Sequence, residues 1–177
     1  MSVHENGGLI VSGRNISWKS MAVGKKITAL DENEAEELIG FNDITTDDAG
    51  RIYAGSLGSS PVFEDGRGPL SGDLYLIELD GSARKVAYDI QLTNGLGFSP
   101  DGKTLYHSDS SRNHINCYSV QADGTLGEKQ IFATTDIGSP DGLVVSEDGR
   151  VWVSLPGGRG VGVYHPDGSF DQLIEIP

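Results

Sequence analysis

The stretch Thr93 to Ser110, TNGLGFSPDGKTLYHSDS, decides how this chain folds. Leu96 and Phe98 alternate with small Gly95, Gly97 and Ser99, the period-2 pattern of a strand. Pro100-Asp101-Gly102 then marks a tight turn, because Pro presets φ and Gly accepts φ > 0. A second apolar run begins at Leu105 and ends in polar Ser108-Asp109-Ser110. The stretch therefore predicts a strand, a turn and a second strand.

The same device recurs along the chain. Gly7, Gly50, Gly102 and Gly149 each follow an acidic, Asn or Ala turn residue and precede a short apolar run: Leu9-Ile10-Val11, Ile52-Tyr53-Ala54, Thr104-Leu105-Tyr106 and Val151-Trp152-Val153. These glycines stand 43 to 52 residues apart. A second turn recurs out of phase, as Asp80-Gly81-Ser82, Asp123-Gly124-Thr125 and Asp167-Gly168-Ser169, with Gly24 as a degenerate first copy. Two interleaved turns per unit mean two hairpins, hence about four strands, which is the blade of a β-propeller. A four-stranded sheet cannot bury both faces alone, whereas stacking it on its neighbours does so and leaves only short edges. The expected fold class is all-β, a propeller cut to about four blades of four-stranded antiparallel sheet. The approximate blades are 1–40, 41–90, 91–137 and 138–177, in one partial domain. Both ends look cut: the strand before Gly7 is missing or very short, and the chain stops one outer strand after Gly168.

Other segments fit between these turns. Lys25 to Ala29 reads as an outer strand, and Asp31 to Glu37, DENEAEE, as a solvated acidic loop. Ser56 to Gly72 is a long Gly/Pro/Ser-rich loop, the kind that often carries function. Asp73 to Leu79, Asn113 to Val120 and Val161 to Tyr164 read as strands, and Gly157 to Gly160 as a flexible connection. Trp18, Tyr106 and Trp152 fall at strand positions and read as core, as does Cys117.

Composition narrows the function classes. Thirteen basic residues stand against 26 acidic ones, with no basic stripe, which argues against nucleic-acid binding. No signal-peptide pattern follows Met1, and no apolar run approaches the roughly 18 residues of a membrane span. A cytoplasmic location and no membrane association are the expectation. A single cysteine, Cys117, allows no disulfide within the chain.

The chemistry lies just upstream of the first turn series. Asn42, Asn94 and Asp141 each stand eight residues before a turn glycine. Asn-Gly and Asp-Gly, as at Asn94-Gly95 and Asp141-Gly142, are also simply good turn dipeptides. An equal offset in three blades, however, puts the three side chains at one level of the innermost strand, converging on one mouth of the central channel. Two amide oxygens and a carboxylate are hard ligands, suited to Ca²⁺ or another oxygen-loving divalent cation. Asp109 near the end of the second strand reads either as a group that supports the site's ligands from outside or as a structural cap, and His107 as a satisfied strand residue or one that reaches the channel. Arg112 and Arg159 read as solvated loop residues.

FNDITTDDAGRIYAGS, TNGLGFSPDGKTLYHSDS and PDGLVVSEDGRVWVSLP together resemble the SMP-30/gluconolactonase/luciferin-regenerating-enzyme family, in order and over most of the chain. That resemblance implies a six-bladed propeller holding one divalent metal, commonly Ca²⁺, with Zn²⁺, Mn²⁺, Mg²⁺ and Fe²⁺ as alternatives. It implies hydrolysis of a lactone or related ester. It implies metal ligands at Asn94 and Asp141, with Asn42 at the same site in contact with metal or substrate. It further implies that Asp141 helps activate water. Such a mechanism needs no Ser-His-Asp set. The family's first-blade Glu ligand has no counterpart here. The places of a substrate-binding Arg and a following acidic residue hold Gly40 and Ser60. Two functions follow as expectations: a metal-dependent lactonase acting on a small molecule, or an impaired propeller that binds, pairing with a second copy or with a partner that supplies the missing blades.

Overall fold

The computed structural model describes residues 1–4, 7–21, 24–32, 38–59 and 70–176. It contains four four-stranded sheets, in each of which neighbours in sequence are antiparallel neighbours in space. The chain divides into two compact units, Met1–Ile90 and Gln91–Pro177, with two sheets apiece.

The first unit opens on β1 (Ser2–Val3), β2 (Leu9–Val11), β3 (Ile16–Lys19) and β4 (Lys26–Leu30). Its second sheet is β5 (Gly40–Thr46), β6 (Ile52–Leu57), β7 (Gly72–Ile77) and β8 (Ala83–Ile90). The two sheets enclose Ile10, Ile16, Leu38, Phe41, Ile44, Ala54, Tyr75 and Ile77, with Trp18 packed against them. The Phe41 N–H also donates to the Gly13 carbonyl at 2.7 Å, stitching the sheets together. The acidic loop and the long Ser56–Gly72 loop fall largely outside the described residues, Ser60 among them.

The second unit consists of β9 (Thr93–Phe98), β10 (Thr104–Asp109), β11 (His114–Ser119) and β12 (Gln130–Thr134), then β13 (Leu143–Val145), β14 (Val151–Leu155), β15 (Gly160–Tyr164) and β16 (Phe170–Glu175). β14 shows why the sequence folds this way. Val151, Val153 and Leu155 are wholly buried, while Trp152 and Ser154 between them face the other side. The buried three join Tyr106, Ile115, Ala133 and Tyr164 in one core, each large apolar side chain contributing about 1.5–3 kcal/mol.

The repeated turns share one geometry. In β9–β10 the Gly102 N–H closes on the Ser99 carbonyl at 2.9 Å, and Gly102 has φ +68°. Asp101 Oδ1 accepts from the Lys103 N–H at 3.1 Å and from Ser99 Oγ at 2.7 Å. Those bonds hold its carboxyl below the usual carboxylate range. Asp148 repeats the pattern in β13–β14, and Asp80 and Asp167 a variant of it in the second turn series. This is the type I turn with a left-handed glycine behind it, a standard hairpin connection.

Two expectations are corrected. Gly157–Gly160 is no flexible tether: Pro156–Gly158 forms a 3₁₀ turn packed so closely on the preceding loop that a Cβ on Gly158 would lie 2.9 Å from the Ile137 carbonyl. Trp152 is not enclosed core. It lies half-buried with Val144 and Val161 along an open apolar hollow, its indole N–H donating to Ser146 Oγ at 3.1 Å. Val144, on the same hollow, is exposed.

Candidate functional site

The first strand of three sheets carries a β-bulge at one place. Between Phe41 opposite Ser56 and Ile44 opposite Ala54, Asn42 and Asp43 face the single residue Gly55. Between Thr93 opposite Asp109 and Leu96 opposite His107, Asn94 and Gly95 face the single residue Ser108. Asp141 N–H donates to the Ser154 carbonyl while Ser154 N–H donates to the Gly142 carbonyl, so Asp141 and Gly142 together face Ser154. A bulge bends its strand and re-aims a side chain, commonly at the rim of a site. The equal offset of Asn42, Asn94 and Asp141 is thus a shared bulge. Asn42-Asp43 and Asn94-Gly95 sit within β5 and β9 rather than in turns, and Asp141-Gly142 lies immediately before β13.

In the second unit the bulges bring Asn94 and Asp141 together. The Gly95 N–H donates to the Asp141 carbonyl at 3.0 Å. A Cβ on Gly95 would lie 2.2 Å from the Leu143 nitrogen and 2.7 Å from the Asp141 carbonyl oxygen, so only glycine permits this approach. Asn94, Ser110, Ser139, Pro140, Asp141, Pro156 and Gly157 line one cavity of about 340 Å³. Both Asn94 and Asp141 are half-buried. Asn42 lies on β5 in the first unit, also half-buried, where its carbonyl accepts from Ser12 Oγ at 2.5 Å.

Asp109 lies behind this cavity and is fully buried. It accepts from the N–H groups of Gln91 and Leu92 at 3.2 and 3.1 Å, and Arg112 Nη1 stands 3.4 Å away. These partners compensate the burial of its charge and anchor the turn that leads into β9. Arg112 is therefore tied to Asp109 rather than simply solvated. His107 is fully buried as well, its Nε2 3.2 Å from Thr93 Oγ1. Burial, helped by the Lys129 charge, lowers its pKa to about 3, so the ring is neutral at physiological pH.

Ser110 escaped the sequence reading. It is buried, accepts a hydrogen bond from Asn94 Nδ2 at 2.7 Å and donates to the Pro140 carbonyl at 2.5 Å. A position-by-position comparison of the repeats would have shown it. By register, His107, Asp109 and Ser110 take the places that Val153, Leu155 and Pro156 hold in the last sheet. The β5–β8 sheet holds Ala54, Ser56 and Leu57 at the same three places.

Four-stranded sheets of this repeat, with a first-strand bulge lined by Asn or Asp, define a β-propeller class of protein. The chain belongs to the SMP-30/gluconolactonase/LRE-like family, whose model matches residues 2–177. It is 33% identical to the 6-deoxy-6-sulfogluconolactonase of Pseudomonas putida, over 99% of this chain and 60% of that protein. It is 29% identical to the regucalcin of Danio rerio, over 97% of this chain and 58% of that one. Among solved structures, a calcium-binding protein, regucalcin, from Agrobacterium tumefaciens superposes with a TM-score of 0.82 at 25% identity, covering 99% of this chain and 58% of that one. The chain thus spans about 60% of the length of such relatives. Among the described residues no helix is long and apolar enough to cross a membrane.

Proposed function

We propose that this chain carries part of the active site of a lactone hydrolase, with Asn94 and Asp141 as ligands of a divalent cation, most simply Ca²⁺. The observation that carries this reading is the convergence of an amide and a carboxylate on one cavity of about 340 Å³, Asn94 from a bulge of β9 and Asp141 from the segment leading into β13. Named relatives that act on sugar lactones support the reaction class. A relative named as calcium-binding supports the cation.

The donors fit such an ion in kind. Amide and carboxylate oxygens are hard ligands, and the cavity leaves room for water or substrate oxygens beside them. Among the described residues no cluster of three or more His, Cys, Asp or Glu exists, so the set is lean in charge and the affinity modest. When bound, the cation would polarise the ester carbonyl and stabilise the oxyanion that develops on it. Among the described residues Asp141 is the only carboxylate lining the cavity, and in this reading it takes the proton of the attacking water. Water oxygen bonds to the carbonyl carbon, the ring C–O bond breaks, and the proton passes to the leaving alkoxide, giving a hydroxy acid. Asn42, on the equivalent bulge of β5, and Ser60 belong to the proposed substrate contacts, with Asp109 as support behind Asn94. The substrate is a small sugar-type lactone, and the setting cytoplasmic.

Two observations favour a second reading. Among the described residues a single carboxylate lines the cavity, and Val144, beside Trp152 and Val161 along an open hollow, is exposed. In that reading the chain binds without turnover, and a second copy or a partner completes it.

Hydrolysis of gluconolactone, followed by acid release, separates the two. The lactonase reading expects activity that falls at least ~100-fold on chelation and in Asp141→Ala, the scale on which losing a catalytic base acts. Activity that survives both EDTA and Asp141→Ala would sink it.

A further inference from the structure

We propose that Ser110 is the positioning residue of this site: its hydroxyl fixes the Asn94 amide so that Oδ1 is the end offered to a cation, and ties it to the segment that carries Asp141. The proposal rests on the cation reading above and concerns how that site is held.

The proton count carries the inference. A serine hydroxyl has one proton to give. Ser110 Oγ lies 2.5 Å from the Pro140 carbonyl oxygen, which can only accept, so the proton goes there. Ser110 Oγ must then accept from Asn94 at 2.7 Å, which assigns Nδ2 to that side of the amide. Oδ1 is on the other side. A flipped amide would set two acceptors against each other. A hydroxyl thus decides which end of an otherwise symmetric-looking amide is offered to a cation, the outer-shell work that orients ligands at metal sites.

The same bond links the two halves of the site. Pro140 immediately precedes Asp141, so the Ser110 hydroxyl touches Asn94 on β9 and the segment that positions the carboxylate. Ser110 is itself held, its N–H donating to the Leu92 carbonyl at 3.0 Å two residues before Asn94. Asp109 grips the same turn through the Gln91 and Leu92 N–H groups. The repeat serves as an internal control. The equivalent places in the β5–β8 and β13–β16 sheets hold Leu57 and Pro156, which have no side-chain hydroxyl. Both sheets form without one, so the sheet itself does not require Ser110. It is found where Asn94 is.

The test compares the full 177-residue chain with Ser110→Ala and Ser110→Thr. The first readout is Ca²⁺ affinity by calorimetry. Ser110→Ala is expected to weaken it ~10- to 100-fold, the usual cost of losing an outer-shell partner, and Ser110→Thr, which keeps the hydroxyl, to restore most of it. The second readout needs no cation: the side-chain NH₂ resonances of Asn94 in the EDTA-treated protein. They are expected to lie displaced from their random-coil positions and to exchange slowly with solvent in the parent and in Ser110→Thr, and to move toward the random-coil positions in Ser110→Ala. A folded Ser110→Ala protein that binds Ca²⁺ as tightly as the parent overturns the positioning role and leaves the cation reading standing. A parent protein that binds no Ca²⁺ overturns both. Unchanged Asn94 resonances in Ser110→Ala overturn the hydrogen-bond assignment regardless of any cation.

Discussion

At the residue scale, the molecule separates groups that act from groups that hold. Asn94, Ser110 and Asp141 line the cavity, whereas His107 and Asp109 are fully buried and stand where the last sheet holds Val153 and Leu155. His107 makes a measurable consequence of that burial. Its folded-state pKa near 3 lies below the ordinary value of 6.5, so between those values the unfolded chain takes up a proton that the native chain refuses. Stability must therefore fall as pH drops through this window, by about 2 kcal/mol at pH 5 relative to neutral pH. Urea unfolding at pH 7.5 and pH 5 should show this loss in the parent, and a smaller one in His107→Leu. Equal losses in both proteins would remove His107 from the account. What the sequence conveyed at this scale was uneven. Asn94 and Asp141 were legible because the repeat places them at one offset. Ser110 was not, because its role depends on Pro140, thirty residues further on.

At the scale of elements, the turns were legible and the bulges were not. A turn is local: Asp101 and Gly102 satisfy their own backbone within five residues, so Pro-Asp-Gly announces itself. A bulge belongs to a pair of strands. Asn94-Gly95 becomes one only because Ser108 stands alone opposite, and that pairing is not written in the dipeptide. In the sequence Gly95 reads as a small residue in an alternating strand, yet it lets β9 approach the segment that leads into β13. Gly95→Ala would put a methyl 2.2 Å from the Leu143 nitrogen, a backbone atom that cannot swing aside. The expected cost is about 2–3 kcal/mol in chemical denaturation, as for overpacking generally. It should be accompanied by loss of Ca²⁺ affinity, because Asn94 and Asp141 are pushed apart. Gly13→Ala, with nothing within 4 Å of the added methyl, is the matched control and should leave affinity unchanged. Loss of stability without loss of affinity would show that the close approach serves the fold alone.

For the molecule as a whole, the fold was the most legible feature. Turn glycines 43 to 52 residues apart, interleaved with a second series, count strands without any knowledge of side-chain contacts. The four sheets and the family match bear that reading out. The substrate side of the site was less legible, since Ser60 lies outside the described residues and Asn42 belongs to the other compact unit. If Asn94 and Asp141 hold a cation in the native state, binding must also stabilise that state. Saturation at 100-fold over the dissociation constant contributes about 2.7 kcal/mol, which for a chain of this size raises the unfolding midpoint by roughly 5–10 °C. Calorimetric scans with excess Ca²⁺ and with EDTA should differ by that amount, and scans of Asp141→Ala should coincide.

The central claim is that Asn94 and Asp141 form one cation site. Its most direct test is isothermal titration of the metal-stripped chain with CaCl₂, beside Asn94→Ala and Asp141→Ala. The account predicts one ion per chain in the parent, binding weakened at least ~10-fold in Asn94→Ala and lost in Asp141→Ala, since affinity tracks ligand count and charge. A parent chain that gives no heat of binding, or an Asp141→Ala chain that binds Ca²⁺ as the parent does, would contradict it.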